Sequence, residues 1–400
     1  MNKIIVALVL LAIGFTAKAQ NDNDIKLAAL PYYTFGKGVG LTSPDSIFKL
    51  NIRFRMQNRA TYLESETDKN GVEAMVRRMR LKFDGYVGDP KFVYVVQLSF
   101  APGDVGVIED GDNINIIRDA VVFYRPNEHW NIGFGQTKLP GNRQRINSSG
   151  ALQLTDRTIN NASFNIDRDF GLQVYYLNER PDNFSYNIKT AISTGEGRNW
   201  TKLPETGLAY TARLELYPFG AFTDNGTFFE GDIAREPTPK LMLSGVYHYN
   251  EGARRTRGTL GLDLFEQRDL TSLLFDAIVK YNGWAFQTAY MKRMADNPIT
   301  YNPEDSSEFR YVVAGEGFDA QASYIFPNNY EIIGRYSNQK PNNDVALVMP
   351  ETNQYSLGIT KYIWEHSLKL QAELTKTDFT LNNTIDTDSW YLRFQVEIGI

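Results

Sequence analysis

The chain has 400 residues, with 42 Lys and Arg against 47 Asp and Glu, a formal net charge of −5, three His and no Cys. The lack of cysteine excludes disulfides, thiolate metal sites and a cysteine nucleophile. Mean hydropathy is −0.37, and beyond the N-terminus nothing approaches the ~18 uninterrupted apolar residues of a membrane-spanning helix.

In chain order, residues 1–19 read as a secretory signal peptide. Lys3 supplies the positive start, 4–15 the apolar core, and Ala17-Lys18-Ala19 the small-x-small cleavage site. The mature chain is expected to begin at Gln20. An exported chain with no helical anchor is either soluble beyond the inner membrane or a β-barrel in the outer membrane of a Gram-negative bacterium. Residues 20–46 hold Pro31, Gly36, Gly38, Gly40 and Pro44, show no period, and read as a periplasmic N-terminal segment.

From 47 to 400 a period of two takes over, the mark of strands with one apolar and one polar face. In 48–57 the apolar set is Phe48, Leu50, Ile52, Phe54 and Met56, alternating with Lys49, Asn51, Arg53, Arg55 and Gln57. The strand at 77–87 sets Met79, Leu81 and Phe83 against Arg78, Arg80, Lys82 and Asp84. Further strands are expected at 92–100, 114–124, 130–138, 170–177, 184–193, 208–217, 241–249, 274–282, 284–292, 315–326, 330–337, 354–363 and 367–376. The last, 390–400, alternates Trp390, Leu392, Phe394, Val396, Ile398 and Ile400 with Arg393 and Glu397. Its length suits a tilted membrane strand. That makes sixteen, with 259–266 as a seventeenth candidate. Connections alternate between short turns rich in Asn, Asp, Gly or Pro and long polar loops, as barrels do with periplasmic turns and outer loops. The connection 218–240 breaks the rule. The fold class is therefore all-β, a 16-stranded antiparallel transmembrane barrel.

Sixteen strands enclose a lumen too wide to fill with strand side chains alone, so the default function is passive diffusion tuned by the lining. Closing the last strand onto the first gathers Arg53, Arg55, Arg78, Arg80, Lys82 and Arg393 on one wall. Arginine stays charged and offers paired donors, which suits phosphate or carboxylate solutes. The alternative is a wall neutralised by loop carboxylates or by lipopolysaccharide. The third outer loop, 139–169, carries Arg143, Arg145, Arg157 and Arg168 with Lys138 at its base. Folded into the lumen it would make an anion-selective constriction. The alternative is a surface loop.

Five segments resemble a known family. Val76-Arg77-Arg78-Met79-Arg80-Leu81-Lys82-Phe83-Asp84-Gly85 is similar to the "RRARLxFxG" strand of the phosphate-selective porins O and P. Arg118-Asp119-Ala120 with Tyr124-Arg125-Pro126-Asn127 resembles "DAYVEYRPN". Gly135-Gln136-Thr137-Lys138-Leu139-Pro140 resembles "GQFKTP". Asp156-Arg157 and Asp167-Arg168-Asp169-Phe170-Gly171 resemble "ER" and "RDxG". The resemblance implies a trimeric sixteen-stranded porin with an arginine-lined lumen and an inward third loop. Gly141-Asn142-Arg143 departs from the family's "PF", and its lysine cluster has no match here. The solute is thus expected to be an anion, phosphate being one oxyanion among several.

No cofactor, metal site, enzymatic role or nucleic-acid partner is expected. The other partners expected are membrane lipid and lipopolysaccharide, the latter through Glu109-Asp110-Gly111-Asp112 and divalent cations. A general porin, and an adhesin or assembly partner using the outer loops, are the alternatives.

Overall fold

The computed structural model describes residues 38–66, 70–105, 115–199, 207–381 and 385–400. Residues 1–37, with the expected signal peptide, and the acidic run at 109–112 lie outside them. After a short β1 (Val39–Thr42), sixteen strands form a closed antiparallel barrel. They are β2 (Phe48–Ser65), β3 (Gly71–Val87), β4 (Phe92–Ser99), β5 (Ile117–Tyr124), β6 (Trp130–Lys138), β7 (Arg168–Asn178), β8 (Ser185–Ser193), β9 (Ala209–Tyr217), β10 (Lys240–Arg255), β11 (Asp263–Tyr281) and β12 (Trp284–Met294). A small hairpin of β13 (Ile299–Tyr301) and β14 (Phe309–Tyr311) stands in the next connection. The circuit continues with β15 (Gly315–Ile325), β16 (Tyr330–Pro341), β17 (Glu351–Trp364), β18 (Leu368–Leu381) and β19 (Ile385–Gly399).

Closure comes from β2, which pairs β3 on one edge and β19 on the other, with Phe54 opposite Leu81 and Arg59 opposite Gln395. β1 uses that second edge below the end of β19. Gly399 pairs Arg55, Ile400 exchanges backbone hydrogen bonds with Phe54, and Val39 pairs Ile52. Residues 39–42, expected in an irregular segment, thus extend the seam. Gly38 leads into it at φ +65, where a Cβ would lie 2.3 Å from the Ile52 carbonyl oxygen, a position only glycine fills without strain.

The facing follows the alternation. Lys49, Asn51, Arg55, Gln57, Arg59, Arg78, Arg80, Lys82 and Asp84 are buried inside, while Phe48, Met79, Leu392 and Phe394 are exposed on the outer face. One residue of slip would exchange the two sets and place guanidinium groups in hydrocarbon.

All sixteen expected strands are present, and the candidate at 259–266 runs into β11. Several strands outrun their expected ends; β11 reaches 19 residues and β2 reaches 18. The alternation of apolar residues stops where the lipid stops, but backbone pairing continues into the outer hairpins. Turns came out where expected. Asn282 and Gly283 both have positive φ, 47° and 87°, the geometry of a two-residue hairpin turn between β11 and β12.

Candidate functional site: the inner wall and the connections bonded to it

The connection between β6 and β7, residues 139–167, includes the short helices Arg143–Ile146 and Ile159–Phe164. Its polar groups bond to strands around the barrel. Arg55 donates to Ser148 and Ser149 at 2.9 and 2.7 Å, and Arg80 to Ser149 at 3.1 Å. From β18, Lys369 Nζ donates to the carbonyls of Gly150 and Leu152 at 2.8 and 2.6 Å. Glu373 of the same strand accepts from the Thr155 amide and hydroxyl at 2.8 and 2.6 Å. On β15, Asp319 accepts from Thr158 and Asn160, both at 2.9 Å. Arg293 of β12 donates to the Ser163 and Asn165 carbonyls.

Three arginines meet at one carboxylate of this segment. Arg59 and Arg78 each donate to Asp156 at 3.0 Å, and Arg77 reaches Oδ2 through Nε and Nη2 at 3.2 and 3.1 Å. Consecutive strand residues face opposite ways, so Arg77 and Arg78 should not share a target. A β-bulge brings them together. Gln57 pairs Arg78, Asn58 pairs Val76, and Arg77 is the extra residue. Burial favours the neutral carboxyl of Asp156, but the charges of Arg78, Arg77 and Arg59 outweigh it and hold the group ionised well below the usual carboxylate range.

The other expected site residues are also engaged. Arg53 and Lys82 approach Asp84 at 3.3 and 3.6 Å. Arg55 lies 3.7 Å from Glu397. Arg80 and Arg118 share Asp104, on the outer helix Pro102–Val105, at 2.7 and 3.0 Å. Arg143 pairs with Glu215, Arg145 with Asp167, and Arg168 with Asp119. Arg393 lies against the Tyr391 ring, 3.7 Å from its centroid. Lys138 donates to the carbonyls of Ile146 and Asn147, and Arg157 to those of Gln144 and Asn147. The wall is thus largely paired or anchored.

Sequence reasoning missed Arg59, because β2 outran its expected end, and Arg77, because of the bulge. It also missed the destination of 218–239. This connection, expected on the periplasmic side, bonds to the inner face of the barrel wall. Lys280 of β11 donates to the carbonyls of Gly226, Phe229 and Gly231 at 2.7, 3.0 and 2.7 Å. Glu230 accepts from the Gln153 amide at 2.8 Å and from the Gln144 side chain at 2.9 Å. The two connections therefore touch. The wall behind them carries apolar residues on its inner face. Met242 and Ile278 pack with Tyr217 and Phe222, while Val246, Leu274 and Met291 pack with Leu139, Phe164 and Ile166. A signal existed: Leu241-Met242-Leu243 and Leu273-Leu274-Phe275 are apolar on both faces, as strands covered on both sides are.

Residues 48–215 match the family described as phosphate-selective porin O and P. Among curated proteins none matches the sequence. Solved structures with the same fold include OmpF of Salmonella typhi in complex with daunomycin, at 12% identity and TM-score 0.56, covering 90% of this chain and 100% of that one. The channel DcaP of Acinetobacter baumannii gives 11% identity and TM-score 0.54, with 90% and 100% covered. A loop L8 deletion mutant of OmpT from Vibrio cholerae gives 13% and 0.53, with 88% and 99% covered. At such identities these structures speak for the fold alone. The chain thus shares the barrel fold of outer-membrane porins and is similar over 48–215 to the phosphate-selective porins O and P.

Proposed function

We propose that the channel is a passive diffusion pore with anion preference, narrowed by 139–167 folded into its lumen and by 218–239 from the periplasmic end. One observation carries the preference. Lys138 and Arg157 of the narrow zone direct their donors to backbone carbonyls. A carbonyl satisfies a hydrogen bond but does not cancel a charge, so positive potential remains along the β2–β7 wall. Arg53, Arg55, Arg78, Arg80, Lys82, Lys138, Arg143, Arg145, Arg157, Arg168 and Arg393 are the lining or loop-borne cations of this reading. Phosphate and carboxylates are its natural solutes. The resemblance to trimeric porins adds a homotrimer, which light scattering in mild detergent tests.

A second reading, a general porin, draws on the opposite flank. There Asp319 and Glu331 bond to neutral donors, Thr158 and Asn160 for one, Gln153 and Tyr362 for the other. Their negative charge also remains. A planar bilayer under a KCl gradient separates the readings. The proposal expects a reversal potential favouring chloride, lowered or inverted when Arg53, Arg55 and Arg80 become Glu. Cation preference in the unaltered channel refutes it, and a reversal potential near zero supports the general porin.

A further inference from the structure

We propose, building on the anion-channel reading, that Asp156 is a tethered pseudo-ligand. Its carboxylate fills an oxyanion site made by Arg59, Arg77 and Arg78, and a solute carrying carboxylate or phosphate passes by taking its place. The geometry is that of a binding site. Arg77 grips one carboxylate oxygen through Nε and Nη2, Arg59 donates to the same oxygen, and Arg78 takes the other. Other donors of the flanking arginines go to neutral amides. Arg78 donates to the Gln57 side chain at 2.8 Å, and Arg59 Nε to the Gln395 side chain at 3.3 Å. These contacts aim the guanidinium groups without neutralising them. Three positive charges therefore face one negative charge. A tether alone needs one arginine, yet β3 gives up a regular ladder to deliver a third.

The site is reachable. Asp156 and Arg77 keep 24% and 23% of their side-chain surface exposed. Exchange does not require the loop to unfold. The segment on either side is held: the Thr155 amide by Glu373, the Asp156 carbonyl by Arg335 at 3.0 Å, and the Arg157 side chain by the Gln144 carbonyl. A rotation about the side chain of Asp156 suffices to vacate the three guanidinium groups. The substrate class that fits is a small oxyanion with two or more oxygens on one centre, because a single-atom anion such as chloride cannot span the three donors.

The test is inhibition of chloride current by inorganic phosphate in planar bilayers. D156N keeps the size of the side chain and removes the competing charge. It should lower the half-blocking phosphate concentration at least tenfold, whereas D156E, which keeps the charge, should stay near the unaltered channel. R77Q, with one donor fewer and Asp156 in place, should weaken phosphate block, and it serves as the readout should D156N fail to assemble. An unchanged half-blocking concentration in D156N channels that still prefer chloride overturns the pseudo-ligand alone. In the absence of D156N channels, unchanged block in R77Q does the same. An unaltered channel without chloride preference overturns the anion reading and this inference together.

Discussion

Phe229 and His366 stack with ring centroids 4.7 Å apart and planes 24° from parallel. Phe229 belongs to the periplasmic connection 218–239, His366 to the turn between β17 and β18. The contact reaches across from the β9–β10 side of the barrel to the far wall. Shortening 220–234 to a four-residue turn should raise single-channel conductance severalfold, as the periplasmic exit widens. Equal conductance would show that the ions take another route.

The same contact should loosen in acid. Burial, then the charges of Lys369 and Lys280, push the His366 imidazole well below its ordinary 6.5. The unfolded segment takes up a proton below about 6.5 while the packed ring does not. The stabilising contribution is complete above that pH and falls progressively below it. The protection factors of the 226–232 amides, taken against the slower intrinsic exchange in acid, should therefore fall between pH 7 and pH 5, and much less so in His366→Phe.

Lys369 holds two loop carbonyls and lies 3.5 Å from Glu397. Lys369→Met would take a donor from both carbonyls and leave the buried Glu397 with the more distant Arg55 at 3.7 Å. Stranded buried partners cost about 1–3 kcal/mol each. The loop around Gly150 and Leu152 should lose protection by that order in hydrogen exchange, while heat-modifiable migration of the barrel persists.

Deleting Arg77 should be tolerated. Gln57 already pairs Arg78 and Asn58 already pairs Val76, so removal leaves a regular ladder. The variant should still migrate as a compact barrel in SDS before boiling. A chain that runs fully unfolded without boiling would mean that the bulge is needed for closure.

What the sequence made legible and what it hid divide along physical lines. The facing of Phe54, Leu81 and Arg80 was legible because lipid on one side and water on the other force a period of two. The turn at Asn282-Gly283 was legible because two positive φ values admit few residue pairs. Arg77 was hidden because counting by twos assigns it outward, and nothing local announces an extra residue. The segment 218–239 stood out by its length alone. Its path depends on Lys280 and His366, which are tens to more than a hundred residues away in sequence. The end of β2 was hidden because pairing above the membrane rests on backbone hydrogen bonds, which hydropathy does not record. Arg59 was missed with it.

The seam on β2 also puts β19 and β1 on one edge. Ile400 sits opposite Phe54 and Val39 opposite Ile52, so β19 and β1 lie in line with room for a single residue between the pairings. Any extension appended after Ile400 would continue straight into the slot of β1. An affinity tag placed there would compete with β1 for the same backbone donors and acceptors, and one of the two would be left unpaired.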